Sequence, residues 1–379
     1  MGPSSTMSSL TADRNTGEAP CARRQGGVPL LGMDSDEITQ FLTAMGQKPY
    51  RGRQVAAWIY KHRAHSFAEM TDLPASLREE LSAAASVGRG EVVSERRSAD
   101  GSLKLLVQWP DGEAVETVYL PYEGRDSVCV STQVGCPAAC TFCATGLMGF
   151  RRNLTPGEIL DQVLFAQDIA VREQGEGARI TNIVFMGMGE PLFNMSAVVK
   201  AARLINKELG ISMRNLTVST VGITPAIRRL ARYRFQFTLA ISLHAPTQEL
   251  REQIVPLAKR YPLDDLLMAC REYAEVTSRR ITFEYVLIDR VNDSVEHARR
   301  LAGLIRGQLA HVNLIPLNPC SDIPQFRPPA WDKVLRFQQE VEKGGVRTTL
   351  RSPRGQDIEA ACGQLRRTLQ GSGRKVLRT

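Results

Sequence analysis

The strongest constraint on the fold is an alternation that begins near residue 125. Short runs rich in β-branched residues are followed repeatedly by longer amphipathic stretches. "SVCVSTQV" (127–134) reads as a strand. "TPGEILDQVLFAQDIAV" (155–171) reads as a helix that opens on a capping box, Thr155 with Glu158, and has Pro156 at its first position. Five more strands follow, "RITNIVFM", "NLTVST", "FQFTLAISL", "RRITFEYVLI" and "HVNLIPL", each followed by a helical pattern. Strands that alternate with helices imply a parallel sheet. Closed or nearly closed, such a sheet is an α/β barrel whose chemistry sits at the C-terminal ends of the strands. The expectation is therefore an α/β fold, a partial (β/α)6 barrel over residues 123–350.

Upstream, residues 34–90 read as three short helices, the first capped by Ser35. Residues 91–122 alternate around a "PDG" turn and read as a hairpin. Together they suggest an N-terminal accessory domain at 34–122. Residues 1–33 are rich in Gly, Ser, Pro and Arg without periodicity and are expected to be a disordered leader. Residues 351–379 form a C-terminal segment with one cysteine and a basic tail. No apolar run reaches the ~18 residues of a membrane span, and no secretory signal is expected, so the protein is read as cytoplasmic.

The next constraint is chemical. "VGCPAACTFCATG" (134–146) places Cys136, Cys140 and Cys143 at C-x3-C-x2-C spacing with no histidine nearby. Structural zinc prefers four closed ligands, usually in two separated pairs, and the nearest candidate fourth ligand is Cys129. An electron-transfer cluster also uses four thiolates. Three thiolates on a four-iron cluster leave one iron open to a small chelating molecule. That is the favoured reading, with zinc and plain buried thiols as the alternatives. Eight cysteines scattered over a long chain fit a reducing compartment better than a disulfide framework.

If the barrel is correct, polar strand ends should gather near this loop. The ends are "MGMGEP" with Gly187, Gly189 and Glu190, "STVG" with Ser219, "SLHA" with Ser242, Leu243 and His244, and "PLNP" with Asn318. The glycines permit close backbone approach to a ligand, and Glu190 can accept a hydrogen bond from an ammonium. Taken singly, these are as readily a turn, a helix cap and a structural histidine. Their shared rim is what makes them a candidate site. Cys129 and Cys362, taken as isolated cysteines, default to buried apolar fillers. Cys21, in the leader, Cys270, on a helix face, and Cys320 are read as structural.

The C-x3-C-x2-C loop, with Phe142 before its third cysteine, resembles that of the radical S-adenosylmethionine (SAM) enzymes. Several segments together narrow the resemblance: "VETVYLP", "CVSTQVGCPAACTFCATG", "NIVFMGMGEPLFN", "LTVSTVGI", "LAISLHAP", "VNLIPLNP" and "DIEAACGQL". They are similar to the bacterial RNA adenine methyltransferases of the RlmN class, over about residues 34–369. The resemblance implies a [4Fe-4S] cluster on Cys136, Cys140 and Cys143. It also implies SAM contacts from Gly189, Glu190, Ser219, Ser242, Leu243, His244 and Asn318. It implies a methyl carried on Cys362, a resolving Cys129 that ends in a disulfide with Cys362, and a proton moved by Glu116. The implied reaction is methylation of carbon 2 of adenine in 23S rRNA and in tRNA. An electron donor of the flavodoxin or ferredoxin type and a monomeric state are expected with it. The carbon-8 methyltransferases of the Cfr type share this equipment and remain an alternative. A non-catalytic metal-containing RNA-binding protein is the alternative from another class.

The net charge of +8 agrees with a polyanionic partner. Two candidate phosphate-binding faces are Arg51, Arg53, Lys61 and Arg63, and Arg366, Arg367, Arg374 and Lys375. A face of this kind binds RNA less tightly as salt is added.

Overall fold

The computed structural model of the chain describes residues 27–366. One sheet of ten strands runs through it. In chain order these are β1 (Glu91–Arg97), β2 (Leu103–Gln108), β3 (Ala114–Tyr122), β4 (Arg125–Cys129), β5 (Ile180–Phe185), β6 (Leu216–Thr220), β7 (Thr238–Ser242), β8 (Ile281–Leu287), β9 (Ala310–Pro316) and β10 (Thr348–Leu350). They lie side by side in that same order. β1 to β4 pair antiparallel, and every neighbouring pair from β4 onward is parallel. Helices return the chain between the parallel strands, so both faces of that part are apolar. Val128, Ile183, Val218, Leu239, Ile241, Phe283, Val312 and Leu314 are fully buried. The partial barrel is thus present, with β10 as a seventh parallel strand beyond the six expected.

Three boundaries differ from the sequence reading. The hairpin assigned to the accessory domain is part of the main sheet, because β3 hydrogen-bonds to β4 from Val118–Cys129 to Tyr122–Arg125. A cut at residue 122 would sever that ladder. The leader also ends earlier than residue 33. Val28–Pro29 pairs in parallel with Ala85–Ser86, and Leu30 and Leu31 are buried. Residues 1–26 lie outside the described residues. Finally, the first helix, Ser35–Ala44, is capped by Asp34 rather than Ser35. The Asp34 carboxylate accepts from the amides of Asp36 and Glu37, and Glu37 closes the capping box. A carboxylate before the first turn also meets the positive end of the helix dipole. The second box, Thr155 with Glu158 ahead of the helix Pro156–Gln174, forms as expected.

"SVCVSTQV" is not one strand. The chain leaves the sheet after Cys129, and Gln133–Gly135 pairs with Phe150–Asn153 in a small antiparallel hairpin. Gly135 allows this with φ +75°. A Cβ there would come within 1.8 Å of the Gly149 carbonyl oxygen. The hairpin lifts the cysteine loop over the C-terminal ends of the parallel strands. Residues 351–366 then cross the same end, with only one short turn of helix, Gln356–Ile358.

Candidate active site

The cysteine loop is tied down by backbone bonds. The Cys136 amide donates to Gly149 (2.9 Å), Cys143 to Cys140 (3.2 Å) and Ala144 to Gly363 (2.8 Å). Cys140 is buried, and Cys136 and Cys143 are half-buried in an apolar cluster with Ala138, Phe142, Ala245, Ile254 and Ile315. Burial pushes the Cys136 thiol up to about 12 and raises Cys140 and Cys143 as well; nearby Glu190 and Cys143 add to the rise at Cys136 and Cys140, and Cys362 adds to it at Cys143. Thiols in such a place become thiolates only when a cation binds them.

The strand-end residues surround the loop. Glu190 is fully buried. Its Oε1 accepts from Leu192 N (2.9 Å) and its Oε2 from Val221 N (2.8 Å), and burial raises its pKa to about 7. Gly187 and Gly189 do make a close approach, but to protein. A Cβ on Gly187 would lie 2.7 Å from Ser131 Oγ, and one on Gly189 would lie 2.7 Å from Gln133 Cβ. They let the β5 end seat against the chain leading into the cysteine loop. Ser219 Oγ donates to Phe185 O (2.8 Å). Ser242 is half-buried at the end of β7, and the buried Leu243 donates its amide to Glu284 O (3.0 Å).

His244 adopts φ +58°. Its Nδ1 accepts from Val286 N (3.1 Å), and its ring meets Phe142 edge-on at 5.0 Å. Burial, with the Arg251 charge adding, pushes its pKa down to about 3, so the imidazole is neutral.

The third group comes from the C-terminal segment. Asn318 Nδ2 donates to the Cys362 carbonyl (3.1 Å), and its Oδ1 accepts from Gln356 Nε2 (2.7 Å). Thr145 Oγ1 donates to Leu365 O (2.6 Å). Cys362 is thereby placed beside Cys129, the last residue of β4. Both line one small cavity, together with Val118, Met186, Asn318 and Arg351. Both are free thiols, so the disulfide implied by the resemblance is not formed in this structure. Burial, with Cys362 adding, pushes Cys129 up to about 12, against the opposing pull of Arg351. Glu116, inward-facing on β3, accepts from the Arg366 amide at Oε2 (2.9 Å) and pairs with Lys104 at Oε1 (3.0 Å).

Arg251 was not anticipated. It is fully buried, donates to the Leu243 carbonyl through Nε (3.2 Å) and reaches the Val221 and Ser242 carbonyls through Nη2. Its Nη1 has no hydrogen-bond partner among the described residues. The charge acts on Cys140. A buried cation with an unpartnered donor suits an anionic group, and three thiolates on an iron–sulfur cube make one. Among the described residues, no three His, Cys, Asp or Glu side chains converge tightly enough for a single ion. Three cysteines on one loop with no histidine beside them, next to the buried Arg251 charge, are a donor set that fits an iron–sulfur cluster.

Two family profiles match the chain. One is described as the ribosomal RNA large subunit methyltransferase N-terminal domain and covers residues 28–87. The other is the radical SAM superfamily and covers residues 130–302. A probable dual-specificity RNA methyltransferase RlmN from Gloeobacter violaceus is 47% identical over 340 residues, 90% of this chain and 95% of that protein. A protein of the same description from Thermosynechococcus vestitus is 48% identical over 338 residues, 89% of this chain and 98% of that protein.

The chain belongs to the RlmN family of radical SAM RNA methyltransferases.

The crystal structure of a radical SAM methyltransferase from Sphaerobacter thermophilus superposes with a TM-score of 0.86. It is 46% identical and covers 89% of this chain and 99% of that one. Membership brings the cofactors with it. Radical SAM enzymes use a [4Fe-4S] cluster and SAM, and the residues at this rim fit both. No helix among the described residues is long and apolar enough to cross a membrane.

The basic faces are narrower than the charge pattern of the sequence suggested. Arg63 pairs with Asp168, and Arg366 pairs with Asp322 and with Glu359 (2.7 Å). Arg53 and Lys61 are exposed beside Arg51, whose guanidinium lies 4.8 Å from the Tyr50 ring centre. Arg367, Arg374 and Lys375 lie outside the described residues. The sequence signal for Arg251 is weak, since "ELREQI" reads as a surface turn of helix. Lys104 had a better one: it is the single charge in the apolar run "SLKLLVQW".

Proposed function

We propose that the protein methylates carbon 2 of adenine in 23S rRNA and in tRNA, at the adenosine next to the anticodon. The observation that carries this reading is the meeting of Cys129 and Cys362 in one cavity at the barrel mouth, with Glu116 held against the segment that bears Cys362. The match to a ribosomal RNA methyltransferase N-terminal domain supports rRNA as a substrate, and the relatives' description as dual-specificity enzymes supports a second RNA. Adenine carbon 2 is electron-poor and cannot attack a methyl sulfonium. A cysteine thiolate can, because sulfur is a strong nucleophile.

The roles then follow from position. Cys136, Cys140 and Cys143 hold the cluster, with Arg251 as its buried counter-charge. Gly189, Glu190, Ser219, Ser242, Leu243, His244 and Asn318 form the wall against which SAM binds. When bound, the cluster and SAM supply the methyl group, a hydrogen-abstracting radical and the sink for the electron the adduct later gives up. Cys362 takes the methyl by displacement, forming S–CH3 as the sulfonium bond breaks. Once its carbon is bonded to the base, Glu116 accepts the ring proton. Cys129 then attacks the Cys362 sulfur. The new S–S bond displaces the methylene carbon, which picks up a proton as the product methyl group. A dithiol reductant must restore the two thiols. Arg51, Arg53 and Lys61 supply phosphate contacts, and an electron donor of the flavodoxin or ferredoxin class feeds the cluster. The protein is expected to act as a monomer in the cytoplasm.

The test is mass spectrometry of unmodified ribosomal and transfer RNA incubated with reconstituted protein, SAM and reductant. Methyl on adenine carbon 2 is expected. Methyl on carbon 8, or none, overturns the assignment.

A further inference from the structure

Glu116 is an unusual place for a base. It lies 4% exposed on a strand of the main sheet, where an isolated carboxylate would be neutral. What surrounds it is specific. Lys104 stands on the neighbouring strand, its register partner being Val118, so Lys104 and Glu116 are diagonal neighbours on one face of an antiparallel pair. Their side chains are 7% and 5% exposed, and Nζ meets Oε1 at 3.0 Å. The same ammonium donates to the Glu359 carbonyl, also at 3.0 Å. Glu116 Oε2 accepts from the Arg366 amide at 2.9 Å. The Glu116 amide donates to Met188 Sδ and its carbonyl accepts from Ser131 Oγ, so the β3 backbone is fixed as well.

The cation and the carboxylate thus grip the C-terminal segment at two points on either side of Cys362. One bond runs to residue 359 and one to residue 366. The other charges facing this place are accounted for. The Arg366 guanidinium is turned to Asp322 and Glu359, and the Glu359 carboxylate is turned to Arg366 and Ser321. Burial raises the Glu116 pKa, and Lys104 is the first influence that opposes it, ahead of Arg366.

We propose that Lys104 is the positioning residue for the proton-transfer step: a buried counter-ion that keeps Glu116 charged and registers it against the segment carrying Cys362. This rests on the reading of Glu116 and Cys362 given above. A buried carboxylate alone would be protonated and unable to take the ring proton. A surface carboxylate would be ionised but mobile, with nothing to align it to residue 362. The ammonium supplies charge and alignment together, and Lys104 is not among the residues lining the cavity shared by Cys129 and Cys362.

The test uses reconstituted holoprotein with Lys104→Met and Lys104→Arg, compared with wild type and Glu116→Gln. Two steps are read separately: methyl loading on Cys362 by intact-protein mass, and release of the covalent RNA adduct by gel shift across pH. Lys104→Met is expected to bind iron and load methyl, but to release the adduct about tenfold more slowly near neutral pH. Its half-maximal release should lie at least about one pH unit higher than in wild type, since a displacement of one unit is a tenfold change in the ionised fraction. The sign follows from the chemistry, because losing the cation favours the protonated carboxyl and a higher pH is needed to ionise it. Lys104→Arg should restore both rate and profile.

Wild-type release and pH dependence in Lys104→Met would overturn the proposal. So would a defect that neither shifts with pH nor responds to arginine, which marks a merely structural lysine. Wild-type protein that never carries a methyl on Cys362 would sink the underlying reading, and this one with it. That result is distinguishable because it shows at the loading step.

Discussion

The cysteine loop and the Cys129–Cys362 pair are built on opposite plans. The loop is local. Three thiols fall within eight residues, and a glycine-pinned hairpin with short backbone bonds holds them over the strand ends. The pair is assembled across the fold, from the end of β4 and from a segment with almost no regular structure. Bonds such as Arg366 N to Glu116 hold that segment in place, spanning 250 positions of chain. A local site tolerates movement elsewhere in the molecule. A site assembled over such a distance reports any loosening of the contacts between its parts. The two differ in the same way in how they can be lost.

The largest effects should come from the local site. Replacing any one of Cys136, Cys140 or Cys143 with Ala should remove the iron–sulfur absorbance and all RNA methylation. A variant that keeps both would break the assignment of the trio. Next comes the assembled pair, where the failures should separate by step. Cys362→Ala should carry iron normally yet show no added methyl mass. Cys129→Ala should load methyl, react once and accumulate a covalent RNA–protein species on a denaturing gel. Normal turnover in Cys129→Ala would remove its role as resolving thiol.

Asn318→Ala should have a smaller effect. It removes the bonds to the Cys362 carbonyl and to Gln356, contacts worth about 0.5–1.5 kcal/mol each. Faster hydrogen exchange confined to residues 351–366 is the expected result, and unchanged exchange would show that the segment is held by its other contacts. The smallest effect is on stability. His244 is neutral in the fold, with its pKa down at about 3 against 6.5 in the unfolded chain. Below pH 6.5 the unfolded state binds a proton that the folded state does not, so stability falls as pH falls, by up to about 1.4 kcal/mol per unit. The denaturant midpoint of wild type relative to His244→Asn should therefore drop between pH 6.5 and 5.

The same contrast explains what could be read without a structure. The parallel sheet was legible because each strand is a compact apolar run and each helix brings its own signals, such as Thr155, Pro156 and Glu158. The trio stood out because three cysteines within eight residues form a local pattern that needs no distant partner. The edges were not. Nothing in "GVPLLG" announces that Leu30 and Leu31 are buried beneath the helical region, since their partners lie more than fifty residues away. The boundary at residue 122 failed because a hairpin looks the same whether it stands alone or extends a sheet. Gly187 and Gly189 were expected to admit a ligand, but it is the chain itself, at Ser131 and Gln133, that comes near, and sequence cannot tell the two apart. Asp34 displaced Ser35 as cap because both are good acceptors one residue apart, and the boxed Glu37 selects the former.

The unbroken ladder from β3 into β4 has a mechanical consequence. Strands joined edge to edge cannot swing against each other without unzipping, so the antiparallel wing and the barrel move as one plate. The chain beyond Leu350 has no such ladder: separate bonds such as Asn318 to Cys362 and Arg366 to Glu116 hold it, so it can loosen without unzipping the sheet.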